Sequence, residues 1–262
     1  MVSKAAIPAT AAAILAIAGM SEAMAQIAPH RAAYNLEMAD NGSRRLSGAE
    51  GRMLFLWDRS CEGWVTEQHI TVTLAGPEGD LLETESHYET FETLAGDRMT
   101  FRSEFVINGE TDEIAEGEAV MGADGGEVRY TAPNEGSTDL PAEAIFPSFH
   151  TLELMERAAE GERFFSALVF DGSDATGLSE VTAVISGALE PWAEDENPLL
   201  RHPGWRVSLA FFDATQQGAE PTSEITIDLQ ENGIVRAMEI NYGDFVLEGT
   251  LSALEELERV EC

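Results

Sequence analysis

The sequence predicts an all-β chain, and three observations predict it. Short segments with apolar residues at every second position recur along the chain, turn signals such as Asn108-Gly109 separate them, and a single stretch carries the spacing of a helix. A period of two places alternate side chains on opposite faces of a strand, so one face is buried while the other meets water.

The elements follow in order. In His30–Met38, Ala32, Tyr34, Leu36 and Met38 alternate with Arg31, Ala33, Asn35 and Glu37, and the turn composition Asp40-Asn41-Gly42-Ser43 comes next. Residues 53–57 are apolar on both faces. In residues 64–74, Trp64, Thr66, Gln68, Ile70, Val72 and Leu74 share one face. Asp58-Arg59-Ser60-Cys61-Glu62-Gly63 joins these two runs with hairpin composition and puts Cys61 at the hairpin's end. Gly76-Pro77-Glu78-Gly79-Asp80 closes the second run. Residues 82–93 are weakly apolar and acidic, as suits an edge strand or one with a solvated face.

Residues 99–107 carry Met99, Phe101, Phe105 and Ile107 on one face and stop at Asn108-Gly109, a strong hairpin signal. Shorter strands are expected at 114–121 and 127–131. Residues 132–147, with Pro133, Pro141 and Pro147, read as an irregular connection. The predicted helix spans 148–161, with Ser148 as N-cap, Gly161 just past its end, and Phe149, Leu152, Met155 and Ala159 as its apolar stripe packed on the sheet.

Strands resume at 164–170, stop at the turn Asp171-Gly172-Ser173-Asp174, and continue at 180–186. A loop over 190–204 holds Pro191, Pro198 and Pro203. Trp205, Val207, Leu209 and Phe211 alternate again, followed by strands around Ile225–Leu229, through Met238 and Ile240, and over 245–251. About a dozen short strands in two sheet-rich halves around one helix is the density of a sandwich or barrel-like sheet.

Residues 1–25 read as a secretory signal peptide: Lys4, an apolar run over 5–20, then the small-x-small site Ala23-Met24-Ala25. The run is alanine-rich and shorter than the ~20 residues of a membrane span. The mature chain, 26–262, is therefore expected in the periplasm as one domain, under oxidising conditions. Its two cysteines, Cys61 and the last residue Cys262, are expected to bond to each other; a link between two chains is the competing outcome, with a monomer expected. The internal bond would close a loop of about 200 residues, worth roughly 5 kcal/mol in the chain-entropy model.

Fifteen Lys and Arg against 48 Asp and Glu leave a net charge of −33. Such a field opposes binding to nucleic acid or an anionic membrane, which rely on basic patches. The acids are spread along the chain and fit a salty medium better than an acidic site.

Catalytic signatures are absent: there is no His-Glu-x-x-His, no Cys-x-x-Cys and no Gly-x-Ser-x-Gly. The histidines, His30, His69, His87, His150 and His202, are scattered, so neither a metal nor a cofactor is expected. Residues 171–174 lack the spaced acids of a calcium loop. No pair of acids stands out for glycoside hydrolysis.

The segments HRAAYNLEM, LFLWDRSCEGW and IFPSFHTLELMERAAEGERFFSALVFDGS, together with the C-terminal cysteine, resemble the periplasmic cell-envelope integrity family typified by EipB, long known as a domain of unknown function in Gram-negative bacteria. The likeness covers essentially the whole mature chain. It implies an open, spiralled antiparallel sheet resembling a broken β-barrel with one main α-helix near mid-chain. It also implies a Cys61–Cys262 disulfide and a non-enzymatic role in envelope integrity.

Three function classes remain: a scaffold binding a periplasmic protein or envelope polymer, a carrier of lipid in the sheet's concavity, and an uncatalogued hydrolase. Trp57, Trp64, Trp205 and Phe211 are the candidate ligand or partner surface, with Phe101 and Phe105 adding aromatic area. Sequence alone leaves open whether these rings form a core or line a cleft.

Overall fold

A computed structural model describes residues 27–39, 45–173, 177–214, 220–260 and 262. The expected leader 1–25, the turn at 40–43 and Asp174 lie outside the described residues. The strands are β1 His30–Met38, β2 Gly48–Arg59, β3 Gly63–Ala75, β4 Leu81–Thr93, β5 Arg98–Ile107, β6 Glu110–Gly122, β7 Gly125–Ala132, β8 Gly136–Leu140 and β9 Ala144–Ile145. The helix α1, Pro147–Ala159, follows. The second run is β10 Phe164–Phe170, β11 Leu178–Leu189, β12 Gly204–Asp213, β13 Ser223–Gln230, β14 Val235–Asn241 and β15 Val246–Glu256, with a 3₁₀ turn at Pro198–Leu200 between β11 and β12.

These strands form one 15-stranded sheet in the order β8-β7-β6-β5-β4-β3-β2-β1-β15-β14-β13-β12-β11-β10-β9. The two sheet-rich halves are thus one surface, joined at its middle by the antiparallel β1–β15 ladder. From β1 the chain meanders outward to the edge strand β8, and residues 141–143 carry it straight to β9, the other edge. β9 pairs in parallel with β10, across α1; all the other pairs are antiparallel. The result is a nearly closed barrel with a seam between β8 and β9. Both edge strands are short, five and two residues, which limits the unpaired backbone that invites edge-to-edge association.

The strand calls hold along both halves, with three corrections. Residues 132–147 carry β8 and β9; a loop crossing the seam would leave the outer edges of β7 and β10 unpaired, and these two strands satisfy them. β4 is interior, so of the two readings of its acids the edge falls and the solvated outer face holds for Glu83, Glu85 and Glu89, while Glu92 points inward. The helix stripe is turned: Ser148, His150, Leu154, Met155 and Ala158 are buried, whereas Ala159 is exposed. Asn108 (φ 50°) and Gly109 (φ 80°) both take the left-handed conformation that a two-residue hairpin turn requires.

The inner face of the sheet packs in clusters. Trp57, Trp64, Phe165, Val207 and Leu229 close around Leu154 and Met155 of α1. Tyr34, Leu36, Met53, Met238 and Leu247 gather under the β1–β15 junction. Near the seam, Met99, Phe101, Val128, Phe146 and Phe170 form a third group. Gly172 there has φ 66°, and a Cβ on it would lie 2.4 Å from the Phe101 ring, so the turn after β10 presses on the sheet's far wall as only glycine allows.

On the outer face, β-register aligns Glu50, Glu37, Glu248 and Glu239 directly opposite one another across β2, β1, β15 and β14. All four are exposed, and like charges in direct opposition destabilise a ladder. Melting temperature is therefore expected to rise with sodium chloride at low ionic strength and to level off once screening saturates. A flat response in a thermal-melt series would contradict this.

Candidate functional site

At the end of the barrel where α1 enters, the geometry is set by one residue. Glu92 lies on the inner face of β4, in a rung with Trp64, Met99, Ala119 and Val128, and it is fully buried at 0 % exposure. The Ser148 N–H (3.0 Å) and the Ser148 hydroxyl (2.8 Å) donate to its carboxylate, and the Phe149 N–H adds to them. Ser148 is thus not the N-cap; Phe146 occupies that position with no side-chain cap of its own. A carboxylate from the sheet replaces the local cap and takes up the first free N–H groups of the helix, where its charge also meets the positive end of the dipole.

Burial pushes the Glu92 carboxyl up to about 7, against the opposing pull of its hydrogen bonds from Ser148 and Phe149. An acid poised near neutrality beside a serine hydroxyl has the components of acid–base chemistry. Both groups are sealed, however, at 0 % and 1 % exposure, and a general base needs reach to a substrate proton. Anchoring of the helix is the role this geometry serves.

Around this anchor the barrel end is sealed. Trp57 and Trp64 meet edge to face at 6.4 Å and are 7 % and 6 % exposed. They belong to the core and not to the ligand surface expected of them, because α1 packs down on both rings. His150 stacks on Phe165; burial lowers its imidazole to about 4, and its Nε2 has no hydrogen-bond partner among the described residues. The Tyr88 hydroxyl donates to the Asp171 carbonyl at 2.5 Å, tying β4 to the turn after β10.

Trp205 and Phe211 differ from the first two tryptophans. They are inner-facing on β12 and only half-buried. Trp205 packs with Leu209 against the α1 cluster, whereas Phe211, further along the same face of β12, and the inward-facing Phe105 of β5 are half-buried outside the clusters described above. The structure therefore splits the four expected aromatics into a buried pair and a half-buried pair.

Cys61, exposed in the turn between β2 and β3, is bonded to Cys262, with Cα atoms 5.5 Å apart. The Ser60 hydroxyl shapes that turn by accepting from the Glu62 and Gly63 N–H groups. The tail after β15 is led back towards it, Leu257 N–H donating to the Pro29 carbonyl.

Residues 21–258 match the EipB-like family model. The chain belongs to the EipB-like family. It is similar to the cell envelope integrity protein EipB of Brucella abortus, at 30 % identity over 238 residues covering 88 % of this chain and 84 % of that protein. It also resembles the crystal structure of a β-barrel-like protein of a domain of unknown function from Brucella abortus. The TM-score is 0.82 at 29 % identity, covering 89 % of this chain and 99 % of that one. The barrel with a seam is thus a fold shared with that β-barrel-like structure.

Sequence reading missed Glu92. Its signal was a single acid at a position where the period of two in residues 82–93 demands an inward side chain, beside Thr90 and Glu92's buried neighbours on β3 and β5.

Proposed function

We propose that this EipB-like chain supports cell-envelope integrity as a periplasmic, non-catalytic scaffold that binds another envelope component. The observation that carries this reading is the occupied concavity. Where a carrier of this architecture would hold its ligand, α1 inserts Leu154, Met155 and Ala158 among Trp57, Trp64 and Phe165, and Glu92 fixes the helix there. The relationship to a protein named for envelope integrity supports the same role. A hydrolase reading finds no support in Glu92 and Ser148, which lie out of reach of substrate.

A second reading has one observation in its favour. The half-buried, inward-facing Phe105 and Phe211 lie outside the packed clusters and leave apolar surface on the inner face of the sheet, as suits an acyl chain. Organic-solvent extraction of protein purified from the periplasm, followed by mass spectrometry, separates the two. The scaffold is expected to yield no stoichiometric lipid, while loss of the gene sensitises cells to detergents and wall antibiotics. Lipid recovered near one molecule per chain, and lost in Phe211→Asp, would move the assignment to a carrier.

A further inference from the structure

On the outer face, the β3–β4 ladder sets His69 directly opposite His87. Glu85 precedes His87 by two residues on β4 and so shares that face. The two imidazoles stack at 4.0 Å with 23° between their planes. Both point a nitrogen at one carboxylate oxygen: Nε2 of His87 is 3.6 Å and Nε2 of His69 is 3.9 Å from Glu85 Oε2. The three ligand atoms lie within 4.8 Å of one another.

These separations are too long for hydrogen bonds. Ligands about 2.0–2.1 Å from a tetrahedral centre stand roughly 3.4 Å apart, so a shared ion asks for a small contraction of these separations and a tilt of the stacked rings that brings both planes onto the ion. His69 Nε2 has no hydrogen-bond partner among the described residues although it is buried at the atom, while the side chains as a whole stay 38–46 % exposed and open to an ion from solvent.

The surroundings add two further arguments. A cavity of about 330 Å³ adjoins the pair, lined also by Leu54, Glu67, Glu89 and Arg31, whose guanidinium is engaged by Glu255. Glu67 and Glu89 face each other directly in the next outward-pointing rung, so three carboxylates surround two imidazoles. Arg102, the guanidinium opposite Glu89 in the register, is hydrogen-bonded to Glu104 and Glu116. A divalent cation would relieve the repulsion that this arrangement sets up.

We propose that His69, His87 and Glu85 bind a divalent transition-metal ion on the outer face of the sheet, of the zinc class, with at least one coordination position left to water. Two imidazoles and a carboxylate suit zinc and its first-row neighbours, whereas magnesium and calcium prefer all-oxygen sites. Both cysteines are in the disulfide, so no thiolate competes for the ion.

The test uses the mature chain stripped with a chelator and titrated with zinc in millimolar magnesium, which occupies the diffuse acidic surface. Calorimetry and metal analysis are expected to give one zinc per chain, with zinc raising the melting temperature. His87→Ala and Glu85→Gln should each weaken binding by roughly tenfold or more, given that loss of an outer-shell partner alone costs 10–100-fold. Histidine NMR should show the Nε2 resonances of His69 and His87 moving together on zinc addition. Far-UV circular dichroism without zinc confirms that the variants, changed at exposed positions, keep the sheet. Zinc binding abolished by magnesium, or equal in the His69→Ala/His87→Ala double variant and the parent, would overturn the site.

Discussion

Replacing Cys61 or Cys262 by serine is expected to destabilise the chain by about 2–5 kcal/mol without altering the sheet. The bond spans 201 residues, for which the chain-entropy model gives roughly 5 kcal/mol. Its native surroundings explain why the fold should survive. Tail and hairpin are already neighbours, because β15 pairs with β1 and β1 with β2. The bond therefore acts chiefly on the unfolded chain, whose ends it holds together, and adds little to native contacts. At about 2–4 °C per kcal/mol for a chain of this size, the melting temperature should fall by roughly 4–20 °C. Far-UV circular dichroism near 25 °C should match the parent. An unchanged melting temperature, with the bond confirmed in the parent by non-reduced peptide mapping, would count against this account.

The second large effect concerns pH, and two buried groups oppose each other in it. Glu92 has its carboxyl raised to about 7 from an ordinary 4.5. The folded state therefore holds its proton more tightly, and the stability it contributes is full below pH 4.5 and is lost as pH rises to 7. His150 is lowered to about 4 from 6.5. Its contribution is full above pH 6.5 and is lost as pH falls to 4. His30, lowered by burial too, acts in the same sense as His150.

Each of the larger shifts is worth up to about 3 kcal/mol, so between pH 4.5 and 6.5 the two slopes largely cancel. Single variants should separate them. Glu92→Gln keeps an acceptor for Ser148, and its stability, measured by urea unfolding, is expected to rise with pH over 4–6.5 and to exceed the parent's at pH 7. His150→Gln should instead lose stability as pH rises from 4.5 to 7. Glu92→Ala should lose about 2–4 kcal/mol below pH 4.5, because buried N–H groups are left without an acceptor, and the loss should shrink as pH rises to 7. Parallel pH profiles for the parent and Glu92→Gln would show that Glu92 titrates no differently in the two states.

Much of the local structure was legible because it depends on neighbours in sequence. The alternation in His30–Met38 matches β1 residue for residue, and Asn108-Gly109 announced the β5–β6 turn through its left-handed backbone. The metal-ligand group was readable in part. The turn between β3 and β4 centres on Glu78, and His69 and His87 are equidistant from it, so an antiparallel hairpin had to bring them opposite. Counting histidines by spacing along the chain concealed that pairing. β8 and β9 escaped notice for a physical reason: Gly136–Leu140 and Ala144–Ile145 are too short and polar to show periodicity, and only the free edges of β7 and β10 make strands of them.

The sequence by itself determined that the chain is built from strands with one helix and that it is strongly acidic, since period, turn chemistry and composition are properties of short segments; it offered Cys61 and Cys262 as a pair, which the structure joins within one chain. Tertiary structure alone decided that β1 and β15 meet in the middle of a single sheet and that Trp57 and Trp64 are core while Trp205 and Phe211 stay half-buried. It also decided that Glu92 caps a helix 56 residues away. Each of these rests on contacts between segments far apart in the chain, and a side chain's burial is set by what the fold lays over it.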